Sequence, residues 1–248
     1  MSDYLQNLSD WSPQLLHGVE VTLLVTIVST AVAMAAGLFV AIARIWAMER
    51  GGPFRILGFC LRAYVETLRG LPIIVTLFII YFGLPTVGLT VSTNALLAGI
   101  FGLSLSLAAY LSEVFRAAIL SVDSGQMEAA VSFGMKRSTA YSRIVIPQAL
   151  VVAVPTLGGY FISTLKDSSL LGFISVVELM RTAIDLVSVT FLAFQIYLTI
   201  GAIYLVLSLG ASWVVARIER RLRPLEKAYT GGVAHEMAVP ELAAAPPA

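Results

Sequence analysis

Residues 21–43 run without a single charge, which is long enough to supply the roughly 20 apolar positions that a bilayer core demands of a helix. Residues 56–84 also have a helical pattern, but Arg62, Glu66 and Arg69 occupy the first half of that block. Its uninterrupted apolar part is therefore short, and its polar half must face protein or water. Leu84, Pro85 and Gly88 mark a turn, and a third block, 94–112, ends near Glu113 and Arg116. The chain then turns hydrophilic over 121–143, where turn and capping residues surround two short helical stretches, predicting a loop with its own structure. Apolar character resumes over 144–165, interrupted by Pro147, Pro155, Gly158 and Gly159. Proline removes a backbone donor and glycine permits close approach, so this block predicts a kinked span. A short polar stretch, 166–185, precedes a last uncharged block, 186–216. The pattern predicts five transmembrane helices.

Composition agrees, since 58% of the 248 residues are apolar and only 12% charged, far from the balance of a soluble domain. One cysteine, Cys60, and two histidines, His17 and His235, exclude a disulfide framework and leave no ligand set for zinc or iron. Cys60 reads as a small apolar side chain near a helix start. The small residues of 31–37 resemble a signal-peptide end, but Asp3, Asp10 and Glu20 precede them with no lysine or arginine, so the block reads as a retained span.

Charge also orients the chain. Arg44, Arg50, Arg55 and Arg62 flank the first connection, Arg116, Lys136, Arg137 and Arg143 the third, and Arg217, Arg220, Arg221, Arg223 and Lys227 follow the last span. In an alternating five-span path all three groups share one face. The positive-inside bias then sets the amino terminus outside and the carboxyl terminus in the cytoplasm. Residues 1–223 form the expected transmembrane domain, and the alanine- and proline-rich tail within 224–248 is expected to be disordered.

The loop of about 121–147 carries the densest pattern. Asp123 with Gln126 three residues on has the form of a capping box, and Gly134 suits the left-handed position that stops a helix. A short terminated helix results. Ala129 and Ala130 give it a face with little bulk, on which it fits a groove of another protein while Glu128 fixes its orientation. By itself such a helix is more often a simple connection than a docking device.

Four ionisable groups, Glu66, Arg69, Lys166 and Asp167, fall at or near membrane depth, where charges are costly and mark pairs or pathways. Glu66 and Arg69, three apart, share a helical face and either pair with each other or meet a zwitterion's ammonium and carboxylate groups. Ser168 and Ser169 offer neutral hydrogen bonds nearby. Glu113 and Arg116 read as an interfacial ion pair, and Glu178, Arg181 and Asp185 as a solvated face or as a surface helix touching a delivery protein. No glycine-rich phosphate loop ending in glycine-lysine-serine or threonine is present, so nucleotide energy must come from another subunit. A self-sufficient secondary transporter or channel is the rival reading of the broken spans and buried charges. A membrane enzyme lacks both a nucleophile with its base and a metal set.

The spacing Glu128-Ala129-Ala130, Gly134, Ile144, Ile146 and Pro147 resembles the signature loop of bacterial ATP-binding-cassette import permeases, with Ile146 where leucine is usual. The stretch from Glu66 through Arg69, Gly70 and Pro72, with Leu77-Phe78 and Tyr81 to Pro85, is similar to the second span of the polar amino acid group within that family. Lys166-Asp167-Ser168-Ser169-Leu170 is similar to the group's segment after the fourth span. Thr76 and Ser168 depart from the glutamine and threonine often found in the group, and Thr76 bears on side-chain specificity. The likeness covers roughly 15–223.

The resemblance implies an all-α polytopic fold of the type I importer permease kind in a bacterial inner membrane. It implies two ATPase subunits that bind ATP, a second permease subunit, identical or similar, an extracytoplasmic solute-binding protein, and a small polar amino acid as cargo. It implies no nucleic acid, no metal and no cofactor of the chain's own. The substrate pathway is expected at Glu66, Arg69, Lys166, Asp167, Ser168 and Ser169, and the ATPase coupling at Glu128, Ala129, Ala130 and Gly134.

Overall fold

The structure, a computed structural model, describes residues 2–236, with side chains for 9–222 and for Pro224. All regular structure among the described residues is helical. α1 (Ser2–Arg50) carries the first uncharged block and extends well beyond it on both sides, ending where Gly51 and Gly52 both take positive φ. Residues flanking the block, including Arg44 and Glu49, therefore ride on the same rigid rod.

The second block is broken. α2 (Phe54–Gly70) and α3 (Ile73–Thr86) are bent by 111° at Leu71 and Pro72. Pro72 has no N–H to donate, and its ring forces Leu71 out of the helical region, to φ −93 and ψ 138. The expected single helix over 56–84 is thus corrected to two, joined near the level of Leu103 and Tyr110.

α4 (Ala95–Leu120) starts on Asn94, whose side chain accepts from the N–H groups of Leu96 and Leu97. It is the central helix, most of it buried. α5 (Ser124–Ser132) lies in the following loop, and a second short helical stretch, 137–145, leads into α6 (Ile146–Asp167), which contains Pro155. A 3₁₀ turn, Ser168–Ile174, precedes α7 (Leu179–Thr190) and α8 (Ala193–Glu236). The expected uncharged block 186–216 is therefore corrected as well: it is cut at Phe191, which takes φ +58, so its start belongs to α7 and only α8 continues as a span. α8 runs past 223, through Pro224, to Glu236, and the rest of the expected tail, 237–248, lies outside the described residues.

Four stretches, Ser9–Arg50, Ala95–Leu120, Arg137–Ile174 and Ala193–Leu222, are long and apolar enough to cross a membrane, and the bent α2–α3 pair makes a fifth. Two buried clusters define the two ends of the bundle. Ala41, Leu111, Phe115, Ala118 and Val145 join α1, α4 and the start of α6 at the arginine-rich end. Trp11, Leu15, Leu179, Ala183, Leu186 and Ile196 join α1, α7 and α8 at the far end. Between them, Val25, Leu77, Leu103 and Leu171 pack α3 and the 3₁₀ turn on α1 and α4. Small residues let the axes approach: a side chain at Gly37 would press on Leu111 and on the backbone of Ala108.

Candidate functional site

At the arginine-rich end, α5 is started and stopped by specific groups. Asp123 Oδ1 accepts from the Gly125 N–H at 2.6 Å. The reciprocal half of a capping box is not seen among the described residues, because Gln126 reaches Asp123 only through its own N–H, which donates to the Asp123 carbonyl at 3.1 Å. At the other end Gly134, at φ +80, turns the chain back so that the N–H groups of Gly134 and Met135 donate to Val131 and Ala130. These bonds satisfy carbonyls a helix end leaves open.

Ala130 is buried against the bundle, whereas Glu128 and Ala129 are exposed, so the two alanines do not share one free face. Phe133, 89% exposed, projects beside them. Its only mark in the sequence is an aromatic residue in a hydrophilic loop. The loop is fixed to the end of α1: Glu49 accepts from the Tyr141 hydroxyl at 2.7 Å and pairs with Arg137 at 3.6 Å. These bonds tie the stretch between α5 and α6 to the end of α1.

A polar seam runs along α4. Asp167, Ser163, Tyr110 and Tyr160 line a cavity of about 220 Å³ that Leu103, Leu107 and Ile73 close on its apolar side. Tyr110 and Tyr160, whose ring centroids lie 6.0 Å apart, also border a second cavity of about 470 Å³ that contains Arg69, Glu113 and Thr156. Arg69 and Glu113 in turn border a third, about 690 Å³, with Arg44, Arg62, Glu66 and Arg116. Neighbouring cavities share wall residues, Tyr110 and Tyr160 between the first two and Arg69 and Glu113 between the last two, so the three lie in series from Asp167 toward the arginine-rich end.

Arg69 is held by Tyr110 twice. Its backbone carbonyl accepts from the Tyr110 hydroxyl at 3.1 Å, and its guanidinium lies 5.8 Å from that ring's centroid, within cation–π reach. Glu66 does not pair with Arg69: it accepts from Arg62 Nε at 2.6 Å, one turn earlier, and both are exposed. Glu113 binds Arg116 at 2.8 Å, as expected, and also Arg44, which joins α1 to α4.

Of the remaining expected residues, Lys166 is exposed and Ser169 Oγ donates to its carbonyl at 2.7 Å. Ser168 is buried on the opposite side of the chain from Asp167, its Oγ donating to Leu165. Thr76 is buried too, its hydroxyl without a hydrogen-bond partner. Tyr110, Tyr160, Ser163 and Thr156 were not foreseen, because an uncharged tyrosine or threonine inside an apolar block has no signature.

Glu178 overturns the expectation of a solvated face. It is 0% exposed and caps α7, accepting at 2.8 Å from the N–H groups of both Met180 and Arg181, and at 3.0 Å from the Tyr204 hydroxyl of α8. Arg181 and Asp185, paired at 3.0 Å, do form the partly exposed outer face.

A bundle with a broken second span, a polar seam and a capped loop helix is the architecture of a type I ATP-binding-cassette import permease. Residues 33–224 match the family described as binding-protein-dependent transport system inner membrane component, and the chain belongs to that family. It is 38% identical to a protein described as a probable glutamine ABC transporter permease, GlnM of Bacillus subtilis, over 84% of this chain and 91% of that one. It is 33% identical to the L-cystine transport system permease protein TcyL of the same organism, over 87% and 90%. A solved structure described as an amino acid ABC transporter with histidines superposes with a TM-score of 0.77 at 34% identity, covering 87% of this chain and 97% of that one. The chain is accordingly the membrane-spanning subunit of an ATP-driven amino acid importer, and the secondary-transporter reading falls away.

Proposed function

We propose that this subunit carries a small polar amino acid along the α4 seam, with Arg69 receiving the carboxylate, and Asp167 and Glu66 accepting from the ammonium group at successive points. The succession of adjoining cavities from Asp167 past Arg69 to Glu66 is the observation that supports it. A zwitterion leaving water needs opposite charges to replace its solvent, and a guanidinium offers its forked donors to a carboxylate. Tyr110 and Tyr160 stand between the charged groups. Lys166 and Ser169 border the far-end entrance, and Ser168 acts only through the buried side of the chain.

In this reading α5 docks on an ATPase subunit through Glu128, Ala129 and Phe133, with Ala130 holding the helix to the bundle and Gly134 setting its end. ATP binds in two partner ATPases, which favour one state of the assembly over the other. A second permease, identical or similar, completes the pathway, and an extracytoplasmic binding protein delivers the substrate at the far end. The arginine-rich end faces the cytoplasm of a bacterial cell.

The test is uptake by the assembled complex in proteoliposomes. Arg69→Ala and Asp167→Asn are expected to lower uptake at least tenfold while assembly and basal ATP hydrolysis persist. Unchanged uptake in both variants would remove the pathway assignment.

A further inference from the structure

The mechanism above makes no use of Glu178, a carboxyl with no exposed surface in a part of the chain that lies outside the spans. Burying such a group is costly unless its acceptors are filled, and here three donors converge on it from two elements, two from the first turn of α7 and one from α8. The surroundings are shaped to admit it. At Gly172, in the 3₁₀ turn, an added Cβ would lie 2.8 Å from the Glu178 carboxyl oxygen, and at Gly18 of α1 it would lie 3.0 Å from Leu179 Cα. Thr22 of α1 accepts from the Leu179 N–H at 3.2 Å, and the Tyr204 hydroxyl also lies within reach of the hydroxyls of Thr22 and Ser168.

Ser168 follows Asp167 directly, so the chain at this point has two faces. Asp167 looks into the first cavity of the seam, while Ser168 is buried on the side where Tyr204 and Glu178 meet. α7 in turn buries Leu179, Thr182, Ala183 and Leu186, and presents Arg181, Asp185, Ser188 and Val189 outward. One buried node therefore touches the outer helix at its first turn and the segment that places Asp167.

We infer that Glu178 is a positioning residue: its carboxyl pins α7 to α8 and packs against Gly172 of the 3₁₀ turn, so that the outer face of α7 and the Lys166–Asp167 end of α6 keep one fixed relation while the binding protein hands over its substrate. This rests on the pathway and delivery reading above. A pinned α7 meets its partner already ordered, whereas a loosened one must be ordered on contact, which weakens docking without altering the docking groups. α7 is the surface offered because it caps the end of the bundle opposite the coupling loop and packs beside the turn that follows Asp167.

The experiment compares Glu178→Gln and Tyr204→Phe with the wild-type complex in proteoliposomes, measuring uptake against the concentration of substrate-loaded binding protein, and ATP hydrolysis without it. The expected result is a rise of roughly tenfold in the half-saturating concentration, with binding-protein-independent hydrolysis within twofold of wild type. A purely structural role lowers the maximum rate by reducing the number of active complexes and leaves the half-saturating concentration alone, and that result overturns the inference. Tyr204→Phe removes a single hydroxyl, so it decides by the same two numbers if Glu178→Gln does not assemble. Loss of assembly in both variants assigns Glu178 to folding and also overturns it. Arg69→Ala and Asp167→Asn, run alongside, separate the two readings. Unchanged uptake in both with a shifted curve in Tyr204→Phe rejects the pathway and keeps the pin, and the reverse pattern rejects the pin and keeps the pathway.

Discussion

Single residues show where spacing along a helix informs and where it misleads. Three-residue spacing pairs Glu113 with Arg116 correctly, yet Glu66 takes Arg62 instead of Arg69. Both arginines are within one turn of Glu66, and what separates them is the Tyr110 hydroxyl and ring, which hold Arg69 from another helix. Glu178 stands in the sequence in one polar external segment with Arg181 and Asp185 and so predicts a solvated face, because a cap and a surface position look alike when only the order of charges is known. Its burial has a consequence in solution. Burial pushes the carboxyl up from 4.5 to about 7, against the opposing pull of the Met180 and Arg181 N–H groups and the Tyr204 hydroxyl. The folded protein thus favours the neutral form more than the unfolded chain does. This contribution is fully present below pH 4.5 and is lost as the pH rises through about 7. That difference corresponds to about 3 kcal/mol. In detergent, wild type is expected to lose thermal stability between pH 5 and pH 8 relative to Glu178→Gln. Parallel melting curves for the two proteins across that range would show that Glu178 does not titrate there.

Elements were legible to the extent that their ends carry chemistry. Pro72 is visible in the sequence, and it breaks the second block where a proline must, although the size of the bend depends on the packing of Leu77 and Ile80 around Gly102. The break at Phe191 has no comparable mark, since no glycine, proline or asparagine stands there and an aromatic residue rarely adopts positive φ. Only the packing of α7 on Trp11, Leu15 and Ile200 accounts for it. α5 was the clearest case: Asp123 caps one end, through Gly125 and, among the described residues, without the reciprocal bond from the Gln126 side chain, and Gly134 stops the other as expected. Gly134→Val forces a β-branched residue into the left-handed region at a cost of about 1–2 kcal/mol. The expected result is retained membrane insertion with at least fivefold lower transport and weaker recovery of the ATPase on co-purification. Wild-type values for both would detach α5 from coupling. Phe133→Ala tests the same surface without touching the helix end. It is expected to weaken ATPase association with no change in thermal stability, as befits a side chain 89% exposed.

At the scale of the whole molecule, the number of spans and their order were readable because lipid imposes a length and forbids charge. The seam was not, because Arg69, Tyr110, Thr156 and Asp167 come from three separate helices and no local pattern relates them. Orientation combines both kinds of information. The sequence groups its arginines by connection, and the structure brings two of those groups to one end, where Arg44 meets Glu113 and Arg137 meets Glu49. α8 starts against α7 at the far end and packs near Gly158 of α6 through Val215, so the run from Arg217 onward continues toward the arginine-rich end. No lysine or arginine lies between Arg69 and Arg116, a stretch that includes the turn at Gly88, and the far end holds only Lys166 and Arg181 among the described bases. Basic residues beside a span resist translocation, which is the ground for our proposal that the arginine-rich end faces the cytoplasm. Alkaline phosphatase, active only outside the cytoplasm, is therefore expected to be active when fused after Gly88 and silent when fused after Arg223, with a cytoplasmic reporter giving the opposite pattern. Phosphatase activity after Arg223 with silence after Gly88 would invert the topology, and would move α5 and its exposed Phe133 to the side where no ATPase can reach them.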